Sequence, residues 1–132
     1  MSESKTDLAM LAQSMLETAK AAGADAADAL VVDGTSISVD VLKGRLEHAE
    51  RSEGVEIGLR VILGKRQACV SASDTRPETL REMAERAVGM ARLSPEDPTV
   101  GLAEADMLSP VRDADALDLS DPAETPDPAA LE

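Results

Sequence analysis

His48 is the single histidine of the chain and Cys69 its single cysteine. An imidazole titrates near neutrality and suits general acid–base work. A thiolate is a nucleophile when a nearby cation or base stabilises it. Either chemistry needs partners: a carboxylate or nucleophile beside the histidine, a base or resolving thiol beside the cysteine, or several further ligands for zinc. A two-residue turn at Lys43-Gly44 sets His48 opposite Val39, at the margin of an apolar face. Strand alternation sends Glu47 the other way, although it and Glu50 are neighbours in sequence. His48 is therefore expected to be a structural or solvent-edge histidine. Cys69 is expected opposite Arg60, on the sheet face away from the helices, as a small, semi-buried strand residue. The assignment is no catalytic, no cofactor-binding and no metal-ligating residue.

Other patterns are weaker. Gly54-Val55-Glu56-Ile57-Gly58 has the glycines of a phosphate loop but no following helix and no Lys-Ser/Thr, so it reads as strand. Gly58 within it suggests a bulge or a close backbone contact. Arg81, Glu82, Glu85, Arg86 and Arg92 form a mixed-sign solvated helix face.

Positioning falls to the hydrophobic pattern. Leu8, Leu11, Ala12, Met15, Leu16, Ala19 and Ala22 recur at helical spacing, predicting a helix over about 4–22. Ser4 with Asp7 resembles a capping box, and Gly23 is the stop. The period then falls to two. Strands are expected at about 28–32, 36–42, 45–51, 54–63 and 66–73, with a turn at Ser52-Glu53-Gly54. Gly64-Lys65 supplies the positive φ of a type II′ turn. That turn pairs Leu63 with Arg66, Val61 with Ala68, Leu59 with Val70 and Ile57 with Ala72, all with their apolar sets on one side. Thr75-Arg76-Pro77-Glu78 reads as a capping box opening a helix over about 76–93, with Leu80, Met83, Ala84, Ala87, Val88 and Ala91 as its stripe. The sum is an α+β two-layer sandwich: a mostly antiparallel five-stranded sheet with two helices on one face.

Composition bounds the rest. The chain has 132 residues and no Phe, Tyr or Trp, so Leu, Ile, Val, Met and Ala must build the core. Residues 1–95 carry 15 acids and 12 bases, whereas 96–132 carry 11 acids against Arg112 alone. The domain is expected at 1–95, followed by an acidic, proline-rich linker over 96–132 that leads to a missing C-terminal region. Asp127-Pro128-Ala129-Ala130-Leu131-Glu132 looks like the first turn of a helix cut short. No basic face is present for nucleic acid. One cysteine rules out an internal disulfide, and the amino-terminal residues read as neither signal peptide nor membrane span. A cytoplasmic protein without direct nucleic-acid or membrane partners is expected.

Several ordered segments then resemble one family. They are Gly23-Ala24-Asp25-Ala26-Ala27-Asp28, Ile37-Ser38-Val39, Lys43-Gly44-Arg45-Leu46-Glu47, Arg51-Ser52-Glu53, Gly58-Leu59-Arg60-Val61 and Ser71-Ala72-Ser73-Asp74. Ala91-Arg92-Leu93-Ser94-Pro95-Glu96-Asp97-Pro98 and Gly101-Leu102 continue the series. Together, over roughly residues 20–121, they resemble the amino-terminal domain of the PmbA/TldD family. Leu93 to Pro98 and Leu117-Asp118-Leu119-Ser120-Asp121-Pro122 resemble its PmbA (TldE) branch. The resemblance implies a much longer parent, described as a modulator of DNA gyrase. It also implies a non-catalytic subunit of a cytosolic metallopeptidase complex that matures microcin precursors and degrades an antitoxin. The implied partners are the protein's own missing C-terminal region, a TldD-like subunit and the peptide substrates. Zinc is implied only in the TldD-like partner or the full-length complex, and no cofactor in this fragment. The alternative expectation is a free-standing acidic regulator acting directly on DNA gyrase, its tail imitating DNA. A third is an enzyme domain working through His48 or Cys69.

Overall fold

The computed structural model describes residues 2–132, with side chains from Leu8 onwards. The element order is α1 (Ser2–Ala21), β1 (Ala26–Leu42), β2 (Arg45–Leu63), β3 (Arg66–Ala72), α2 (Pro77–Leu93) and a terminal turn of helix, α3 (Pro128–Leu131). Single 3-10 turns lie at Ala105–Met107 and Asp115–Leu117. The strands form one three-stranded antiparallel sheet in the order β1-β2-β3. The chain divides into two compact units: 1–34 with 53–102, and 35–52 with 103–132.

The α+β class holds, but the five-stranded sheet and the two-helix count do not. The first two expected strands are one strand, β1, and the third and fourth are one strand, β2. The physical reason lies in the glycines. Among the glycines, positive φ occurs at Gly23 (107°), Gly44 (74°) and Gly64 (59°), which end α1 and turn the chain between β1 and β2 and between β2 and β3. Gly34 and Gly54 lack it, so both are passed in extended conformation. Without a left-handed residue to turn on, the β-prone segments on either side run on. The third helix, α3, is the turn that the Asp127-Pro128 sequence suggests; Asp127 Oδ1 accepts the Ala129 N–H at 3.0 Å.

The first unit holds the core. Every residue of the expected α2 stripe is buried. Met15 and Ala19 of α1, Ile57, Leu59 and Val61 of β2, and Ala68 of β3 join it, placing both helices on one face of the sheet. Four alanines (Ala19, Ala84, Ala87 and Ala91) are fully buried there. Small side chains at these positions let the backbones approach where no aromatic ring is available to fill space. The β2–β3 register matches the expected one at every pair, from Leu63↔Arg66 through Ile57↔Ala72.

Joints close this frame. Gly23 ends α1 in a Schellman arrangement: its N–H reaches the Lys20 carbonyl and the Ala24 N–H reaches that of Ala19, both at 3.1 Å. The start of α2 differs from the expected capping box. Arg76 is the N-cap and makes no side-chain cap bond, while Pro77 occupies the first turn. Asp74 does the work instead, accepting from the Arg76 N–H at 3.0 Å, the Arg76 guanidinium and the Thr79 hydroxyl at 2.9 Å. A carboxylate two residues before the cap outcompetes Thr75 because it takes all three donors at once. The Ser4–Asp7 cap lies outside the described side chains.

The second unit comprises the outer part of the β1–β2 ribbon and residues 103–132. Lys43 and Gly44, both with positive φ, make its two-residue turn. None of its residues is fully buried; Ile37, Val39 and Ala114 are half-buried and the rest exposed.

Candidate functional site

The sheet face opposite the helices carries the chemistry-bearing residues of the first unit. Alternation along β2 puts Leu59 and Val61 into the core and turns Arg60 outward. There Arg60 Nε and Nη2 donate to Asp28 Oδ1 and Oδ2 at 2.9 and 2.5 Å, a bidentate fork across to β1. Its Nη1 donates to Gln67 Oε1 at 3.3 Å, towards β3. The bond to Asp28 raises the guanidinium above its ordinary value and keeps it charged. Asp28–Arg60–Gln67 thus staples all three strands on the outer face. Arg60 and Asp28 stand 32 positions apart, so no local pattern in the sequence marks the pair. Opposite charges at outward positions of neighbouring strands were the available signal.

Cys69 faces Arg60 in the register, as expected, but it is exposed rather than semi-buried. The reason is positional: it sits on the face that no helix covers, on a strand at the sheet's edge. His48 belongs to the second unit, exposed, with Nε2 3.8 Å from Glu50 Oε2. An exposed imidazole beside a single exposed carboxylate is a solvent-edge arrangement. Among the described residues no group of three His, Cys, Asp or Glu is placed to hold a metal ion. Gly58 sits in unbroken register with Ser71, and a Cβ there would meet only the Leu30 carbonyl at an ordinary 3.9 Å. The expected bulge on the β3 side and the close contact are both absent. Among the described residues no helix is long and apolar enough to cross a membrane.

Several of the segments that carry the family resemblance form joints. Asp25 donates its N–H to the Ile62 carbonyl at 3.0 Å, while its Oδ2 accepts the Gly64 N–H at 2.8 Å, fixing the β2–β3 turn. After α2, the Asp97 N–H reaches the Lys65 carbonyl at 2.8 Å. Arg66 donates to the Ser94 carbonyl and lies 3.9 Å from Glu96. Hydrogen bonds from the Thr99 N–H and hydroxyl hold the Asp97 carboxyl below its ordinary range. The Ser94–Val100 stretch is thereby clamped to the β2–β3 turn, with Val100 buried. These residues position the frame.

Three comparisons place this frame among known proteins. Residues 27–91 match the family model "PmbA/TldA metallopeptidase domain 1". A metalloprotease PmbA of Escherichia coli O157:H7 is 32% identical over 108 residues, covering 82% of this chain and 24% of that protein. The crystal structure of TldE from Thermococcus kodakarensis superposes with a TM-score of 0.64 at 23% identity, over 71% of this chain and 21% of that one. The chain thus spans about a quarter of its curated relative. On these likenesses the chain belongs to the PmbA/TldD family, as a PmbA/TldE-like N-terminal domain.

Proposed function

We propose that this domain is a non-catalytic, positioning part of a PmbA/TldE-like subunit in a metallopeptidase complex. The observation that carries the reading is the 32% identity to a PmbA metalloprotease over 108 residues of this chain. On this reading the rest of the protein, beyond the residues described, and a TldD-like subunit are its partners. Peptides are the substrates, and zinc is bound on the partner. The outer sheet face, shared by Arg60, Ile62, Cys69 and Ser71, packs against the rest of the protein or the partner; the cytoplasm is the compartment.

Reconstitution of the full-length protein with a TldD-like subunit tests this. Co-elution of the two, with peptide cleavage requiring both, is the expected result. Cleavage by the full-length parent alone, abolished by His48→Ala or Cys69→Ala, would contradict it. A second reading, direct action on DNA gyrase, is favoured only by the acidic stretch 96–132. Deleting 99–132 separates the two, since loss of gyrase binding on deletion would support direct action.

A further inference from the structure

The β2–β3 turn holds more of the first unit than its own hairpin. Leu63 and Arg66 close the turn as a pair, with the Arg66 N–H donating to the Leu63 carbonyl. That bond joins two peptide groups whose other ends point out of the ladder. The Gly64 N–H, in the same peptide plane as the Leu63 carbonyl, donates to Asp25 Oδ2 at 2.8 Å. The Lys65 carbonyl, in the same plane as the Arg66 N–H, accepts the Asp97 N–H at 2.8 Å. The result is a line of three hydrogen bonds running from the Asp25 carboxylate through the turn to Asp97. Each peptide plane is rigid, so holding one of its ends aims the other. Successive bonds in such a line also polarise and strengthen one another.

The far end of this line holds a segment with little else to fix it. Residues 95–100 contain no helix or strand, and 95–99 are exposed. Ser94 stays with α2, its N–H and hydroxyl both reaching the Met90 carbonyl at 3.0 Å. Beyond it, the Thr99 N–H and hydroxyl bond to the Asp97 carboxylate, and the Val100 N–H reaches the Asp97 carbonyl at 3.2 Å. These internal bonds tie 97–100 into one piece. Among the described residues, that piece is attached through the Lys65 carbonyl, through Lys65 Nζ on the Val100 carbonyl at 3.3 Å, and through the buried Val100. So few attachments make a unit that opens ahead of the core.

We propose that the β2–β3 turn is a shared latch: by gripping the Gly64 N–H, Asp25 sets how tightly residues 95–100 are held, and they open as one unit when that grip is lost. Without the carboxylate the first peptide plane of the turn is free to rock. The Lys65 carbonyl then loses its aim at the Asp97 N–H. Residues 95–100 are the last stretch before the first unit ends at Leu102, so the latch governs how rigidly the chain leaves that unit. This device stands on the bonds named and is independent of the peptidase reading.

Amide hydrogen exchange and proton shifts by NMR, on the full chain and two variants, test the latch. In Asp25→Ala the Gly64 amide should exchange about tenfold faster, having lost a charge-assisted acceptor. The Asp97 amide, which Asp25 does not touch, should exchange roughly threefold faster and its proton should move upfield, as a weakened relay requires. The Leu59 amide in the core should keep its rate. Val100→Ala approaches from the other end. It frees the segment without altering Asp25, and reciprocity then demands faster exchange at Gly64 as well as at Asp97. An unchanged Asp97 amide in Asp25→Ala, an unchanged Gly64 amide in Val100→Ala, or an equal rise at Leu59 would each overturn the proposal.

Discussion

At the residue scale, the informative side chains are those that take several donors or acceptors at once. Asp74 holds three donors at the start of α2, and its carboxyl lies far below the ordinary range because the Arg76 guanidinium and N–H and the Thr79 hydroxyl all favour the charged form. Its folded value is depressed, so its contribution to stability is complete above the unfolded carboxylate range near 4 (~3.9) and fades as pH falls towards the folded value. Asp74→Ala should lower Tm at neutral pH and flatten the acid limb of the stability profile, whereas Asp74→Asn should keep part of the cap. Thermal melts between acid and neutral pH check both. Arg60 behaves differently: its fork to Asp28 is partly solvated, and exposed pairs contribute about 0–1 kcal/mol. Arg60→Met should therefore leave Tm nearly unchanged; a large loss would mean that the three-strand staple carries more than a surface pair does.

At the scale of elements, the helices and the β2–β3 hairpin were legible in sequence because two independent signals agreed. Helical stripes and strand alternation gave the faces, and Gly64 gave the turn that aligned them. The β1–β2 ribbon was not legible. Asp33-Gly34 and Ser52-Glu53-Gly54 look like punctuation in a one-dimensional string, but a glycine reverses the chain only if it adopts positive φ. The cap of α2 was missed for a similar reason, since Asp74 competes with Thr75 only once the backbone places three donors around it. Two substitutions follow. Leu59→Ala, at a site only 1% exposed, should cost about 2–5 kcal/mol in urea unfolding. Lys43, held at φ 52° beside Gly44, carries left-handed strain of about 1 kcal/mol that asparagine tolerates better. Lys43→Asn should slow amide exchange at the ribbon tip while leaving the midpoint for the first unit's core unchanged.

For the whole molecule, the residues with catalytic potential are the ones that the frame leaves least organised. His48 and Cys69 are exposed and fall in different compact units. By contrast, several of the segments that resemble the family form joints of the first unit: Gly23 to Asp28, Asp74, and Ser94 to Asp97. Such a distribution suits a domain selected for shape and packing. Family membership was legible because those joints occur in order along the chain. The multi-strand staple was not, because it joins Asp28 and Arg60, which are distant in sequence. The most direct test of the proposed role is peptide cleavage by the full-length parent bearing both His48→Ala and Cys69→Ala, mixed with a TldD-like subunit. The account predicts the wild-type rate, dependent on both subunits. Loss of cleavage with the complex still assembled would contradict it.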